Sequence, residues 1–169
     1  MRVRILLLLA FAVWTADDAT AQQFAIETVG DSLSYLVLTT DSTCDRHRLP
    51  FPVYQFCTGD VDGDGSEDAL VGVVKTTRFD PVMARRLFIF KNHHGRIRAL
   101  WMGSRLGGIL RDFCFTDGRV RTLQATTDGR YAVVEHEWRS FGLGAKRFLA
   151  ANVSYQKAIE ALCPGNNEK

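Results

Sequence analysis

Residues 60–68, written DVDGDGSED, set aspartates at positions 60, 62, 64 and 68, with Gly63 and Gly65 between them. A segment that wraps around one hard cation offers ligands at alternate positions. Asp60, Asp62, Asp64 and Asp68 can therefore converge while the carbonyl of Ser66 fills the remaining place. The two glycines relieve the positive backbone dihedrals that such a coil demands. Clustered carboxylates repel one another without a cation. An all-oxygen, flexible ligand set selects Ca²⁺ over Mg²⁺, which keeps its waters, and over Zn²⁺, which takes His or Cys. Calcium is the expected ion.

The flanking segments decide how this loop is held. An EF-hand requires a bidentate Glu at its twelfth position, which here is Val71, and a helix on each side. Residues 51–58 (FPVYQFCT) and 69–77 (ALVGVVKTT) instead read as β-strands, so the loop is expected to join the two strands of a hairpin.

The stretch FCTGDVDGDGSEDALVGVV resembles the FG-GAP or VCBS repeat, the calcium-loop blade of integrin-type β-propellers and of many secreted bacterial proteins. The matching positions are Phe56, the Gly59–Asp60 pair, the aspartate loop and the strand over residues 69–74. The resemblance covers at most residues 53–102 and implies a Ca²⁺ site at Asp60, Asp62, Asp64, Ser66 and Asp68. The family strings several repeats together, whereas this chain has one clear copy. Propellers close with at least about four blades, and each takes roughly 40 to 50 residues, so a full ring would need partner chains. A weaker echo relates Tyr54-Gln55-Phe56-Cys57 to Arg111-Asp112-Phe113-Cys114, as in a degenerate second blade.

The N-terminus sets the expected compartment. Arg2 and Arg4 precede an apolar run at 5–13 (ILLLLAFAV) that is too short to span a bilayer, and Ala19-Thr20-Ala21 fits a small-residue cleavage site. Residues 1–21 thus read as a secretory signal peptide cleaved after Ala21, 22–163 as a single β-rich domain, and 164–169 as a flexible tail. The expected product is secreted or periplasmic, with no membrane anchor in its mature form. Its cysteines, Cys44, Cys57, Cys114 and Cys163, are even in number, which in an exported protein predicts two disulfides. The pairing is open, and Cys57 and Cys114 also suit buried apolar thiols.

The rest of the chain reads as an antiparallel meander of about ten strands punctuated by Gly-containing turns. The sheets it forms would be propeller-blade-like or arranged as a sandwich or barrel. The helical pattern is confined to residues 155–162 (YQKAIEAL), after Ser154 as N-cap. No nucleophile elbow, zinc-protease, nucleotide or dinucleotide motif occurs. Glu135-His136-Glu137 reads as a solvated strand face, His93 and His94 as an exposed turn, and the scattered arginines, Arg105 and Arg121 among them, as a solvated surface. Trp101, Trp138 and Phe141, beside glycine-rich segments, are candidates for an aromatic platform that takes a glycan or protein ligand. Nucleic acid is an improbable partner for a mildly basic exported chain. The sequence thus predicts a calcium-binding, non-catalytic binding or interaction module. An exported hydrolase with an unrecognised site is one alternative. A structural subunit that assembles with other chains or copies is another.

Overall fold

A computed structural model of the chain describes residues 22–78, 80–103 and 106–164. The expected leader, Arg105 and all of the expected tail but Pro164 lie outside the described residues.

The strands in chain order are β1 (Gln23–Gly30), β2 (Leu33–Thr39), β3 (Cys44–Leu49), β4 (Val53–Gly59), β5 (Asp68–Thr77), β6 (Asp80–His93), β7 (Arg96–Trp101), β8 (Ile109–Thr116), β9 (Arg119–Ala125), β10 (Tyr131–Arg139) and β11 (Gly142–Val153). One helix, α1 (Tyr155–Leu162), follows. Consecutive strands pair antiparallel into three open sheets, ordered β1-β2-β3, β4-β5-β6-β7 and β11-β10-β9-β8. The fold is all-β, as the alternation of strand and turn signals predicts, and among the described residues no sheet closes into a barrel.

The sheets stack face to face in chain order because each central strand carries apolar residues on both faces. In β5, Ala69, Val71 and Val73 meet Phe24, Leu36, Leu38 and Leu49 of the first sheet. On the opposite face Leu70, with Leu87 and Ile89 of β6, meets Phe113 and Val120 of the third sheet. The far face of the third sheet buries Leu123 and Val133 against Ala158 and Leu162 of α1. The unbroken apolar run of β5 is therefore the mark of a strand covered from both sides.

The echo noticed in the sequence has a structural counterpart. Its two segments form β4 and β8, each the first strand of a four-stranded sheet. Phe56 and Phe113 both point back to the preceding sheet, while Cys57 and Cys114 point forward to the next layer. The two strands also pack together at Gly59, where a Cβ would lie 2.0 Å from Cδ1 of Phe115, so only glycine admits that ring.

Three expectations need correction. Cysteine pairing yields one disulfide, Cys114–Cys163, and Cys44 and Cys57 are free thiols. The reason is placement: Cys44 stands exposed on β3 at the edge of the first sheet, whereas Cys57 packs between the second and third. Glu135 and His136 do not form a solvated face, since each is only 3% exposed. Neighbouring strands supply what buries them: Arg147 of β11 and Arg121 of β9 pair with Glu135, and Thr122 of β9 hydrogen-bonds His136. Arg121 is accordingly buried as well and is no part of a solvated arginine surface.

Candidate metal centre

The loop leaves the second sheet at the Gly59–Asp68 pair, where β4 ends and β5 begins. Asp60 organises it. Its Oδ1 accepts hydrogen bonds from the backbone N–H groups of Gly63 (2.7 Å) and Asp64 (3.1 Å), and its Oδ2 accepts one from Gly65 (3.0 Å). Gly63 and Gly65 take φ of 77° and 85°, the left-handed values that bring those N–H groups inward. Asp64 repeats the pattern one step on, Oδ1 accepting from the Ser66 N–H at 2.9 Å.

Asp68 closes the site from beneath. Its side chain is wholly buried at the start of β5, and Oδ2 accepts from the Val61 N–H at 3.0 Å. Its Oδ1 is equally buried and has no hydrogen-bond partner. Burial pushes the carboxyl up to about 7, with the Val61 N–H pulling the other way. A buried carboxylate oxygen without a partner costs on the order of 1 to 3 kcal/mol or more, so its position calls for a positive charge. One carboxylate oxygen from each of Asp60, Asp62 and Asp68 lies within 4.8 Å of the other two. The geometry and the chemistry of these donors fit a hard metal cation.

The remaining expected ligands stand differently. Asp64 turns its Oδ2 onto Lys91 of β6, 2.6 Å from Nζ, and is not among the three converging carboxylates. Ser66 is exposed at the loop's outer turn. Lys91 also reaches Asp62 Oδ2 at 2.6 Å. Hydrogen bonds from this ammonium hold Asp64 below the usual carboxylate range, and the same two bonds raise Lys91 above the usual lysine range. Sequence reasoning missed Lys91, which is 29 residues from Asp62; the available signal was a single lysine directly after the apolar run LFIF. A second tether comes from Gln22, whose Nε2 donates to the Glu67 carbonyl (2.7 Å) and whose Oε1 accepts from Asn92 Nδ2 (2.8 Å).

The other candidate residues do not gather into a second site. Trp101 is buried between the second and third sheets, Trp138 packs against the same cluster, and of the three rings Phe141 alone faces solvent, at 96% exposure. Three acids of the third sheet are engaged within it: Glu135 is held by Arg147 and Arg121, Glu137 by Arg139 (3.0 Å), and Asp112 accepts from the Phe113 N–H (2.8 Å). His93 and His94 are exposed at the β6–β7 turn, as expected. Among the described residues no helix is long and apolar enough to cross a membrane.

No protein-family model, curated protein or solved structure shows significant similarity to this chain.

Proposed function

We propose that the chain is a secreted or periplasmic calcium-binding β domain of FG-GAP or VCBS character, in which the ion stabilises the β4–β5 hairpin and the domain serves as a non-catalytic binding module. The observation that carries this reading is Asp68: a wholly buried carboxylate with an unpaired oxygen, grouped with carboxylates of Asp60 and Asp62. Asp64 and the Ser66 carbonyl complete the oxygen set once the ion is bound, because both belong to the same turn. The place of the loop between the first two strands of a four-stranded meander supports the family reading, as does the repetition of that meander in the third sheet. Export is supported by the leader-like sequence at 1–21 together with a disulfide, which persists in oxidising compartments.

Melting of the mature protein in Ca²⁺ and in chelator tests the metal reading. A site with a dissociation constant of about 10⁻⁴ M, at about 2 mM Ca²⁺, adds about 1.8 kcal/mol of stability. For a chain of this size that raises Tm by about 4 to 7 °C. Asp68→Ala and Asp62→Ala should abolish the increment, and Mg²⁺ at the same concentration should give less. Identical melting curves with and without Ca²⁺, and no heat of binding at millimolar concentration, would overturn the reading. Titration against glycan and peptide panels, with product analysis, separates binding from turnover.

A further inference from the structure

The loop contains more than acids, because β6 delivers a positive charge into it. Lys91 sets Nζ 2.6 Å from Oδ2 of both Asp62 and Asp64, bridging two residues of the aspartate series. The arrangement is not a loose surface pair: the lysine side chain is 24% exposed and that of Asp62 only 13%. Lys91 lies on β6 of the second sheet, paired with Arg98 of β7 and next to Phe90, which pairs with Ala69 of β5, so its backbone is set by the sheet. The ammonium reaches Asp62 and Asp64 but leaves Asp68 Oδ1 without a partner. The pocket thus holds a monovalent charge on its outer side and retains an unpaired, buried acceptor on its inner side.

We infer that Lys91 is a resident counter-cation, which keeps the β4–β5 loop closed in the absence of metal and competes with the divalent ion for Asp62 and Asp64. The inference rests on the metal reading above and adds what sets the affinity. A cation entering between Asp60, Asp62 and Asp68 meets a like charge on Asp62, which weakens binding. It also draws Asp62 and Asp64 off Nζ, so binding releases the lysine toward solvent. The loop then exchanges one cation for another instead of passing from disorder to order, and the metal-free hairpin stays folded.

Two measurements on the mature protein test this. Calorimetric titration with CaCl₂ of the wild type, Lys91→Met and Lys91→Arg is the first. Removal of the charge in K91M should tighten Ca²⁺ binding by about tenfold or more, while lowering Tm in chelator and widening the gap to the Ca²⁺-loaded form. K91R, which keeps the charge, should stay within about threefold of wild type. The second needs no variant: acetylation of the wild type with acetic anhydride, read by mass spectrometry. Lys91 should be protected in chelator and gain reactivity about fivefold or more at saturating Ca²⁺, as its bridging contacts are exchanged for water, while Lys75, Lys146 and Lys157 stay unchanged. Should K91M fail to fold in chelator, its recovery in Ca²⁺ would support the inference, and failure in both leaves the labelling result to decide. A wild type that binds Ca²⁺ while K91M binds no tighter, or while Lys91 labelling is unaltered, would overturn the counter-cation role alone. Absence of any Ca²⁺ response in both proteins would overturn the metal reading and this inference together.

Discussion

His136 is a buried ionisable group with little compensation. It lies on the inner face of β10, 3% exposed, with Nε2 2.8 Å from Thr122 Oγ1. Thr122 Oγ1 also accepts from Gln124 Nε2 at 2.8 Å, which ties one side of the ring into a buried polar chain and leaves Nδ1 as its second nitrogen. That Nδ1 is buried without a partner. A second ring proton would place a charge in the core, and burial accordingly pushes the ring from 6.5 down to about 4. Because the folded value is the lower one, the unfolded chain takes up the proton first. Stability from the neutral ring is complete above pH 6.5 and is lost as pH falls toward 4. The expected loss is about 3 kcal/mol. Urea unfolding at pH 7, 5 and 4 should show this, and His136→Gln, which cannot titrate, should remove that part of the pH dependence. An identical pH slope in wild type and variant would refute it.

At the level of single elements, α1 depends on attachments outside itself. It has eight residues, no side-chain cap at Ser154, no acid in its first turn and no base in its last. Isolated helices of this length are marginal, so α1 is held by Ala158 and Leu162 on the third sheet and by the Cys114–Cys163 bridge. Closing a loop over a separation of 49 residues is worth about 4 kcal/mol in the chain-entropy account. Cys114→Ala with Cys163→Ala should cost stability of that order in chemical denaturation. Thiol titration should find two reactive groups per chain: Cys44 in the native state, and Cys57 only after unfolding, because burial pushes its thiol up to about 11. Four thiols, or none, would contradict the single bridge. The strands and turns themselves were legible wherever the signal is local. Asp117-Gly118 and His94-Gly95 announce tight turns and adopt positive φ as such turns require. The aspartate loop is equally local. Lost to sequence reading were features made by distant partners: β3, whose charged CDRHRL buries only Leu49, the ion pairs that bury Glu135, and Lys91. Which layer each cysteine faces is likewise absent from cysteine spacing, and that is why two bridges were expected where one forms.

The whole molecule is a stack with both ends finished, which bears on whether it completes a ring with other chains. A propeller blade must offer an apolar face to each neighbour. At one end of this stack α1 already covers Leu123 and Val133, the face that a following sheet would need. At the other end, the outer face of the first sheet carries Glu27 ion-paired with Arg46, and Arg46 lies over the Tyr35 ring. Desolvating that pair against another sheet would be costly. One edge of each sheet is defended too: β3 exposes Arg46 and Arg48, β7 exposes Arg96 and Arg98, and β11 carries Lys146 and Arg147 beside repeated register shifts against β10. The mature protein is therefore expected to be a monomer, with light scattering giving the mass of one chain at micromolar concentration. Removing α1 should uncover the third sheet. A 22–153 chain with Cys114→Ser is expected to bind a hydrophobic dye and to associate, its apolar face now open. A full-length protein that runs as a stable dimer or larger ring, or a truncated one that stays monomeric and dye-negative, would show that the ends of the stack are not what keeps this chain single.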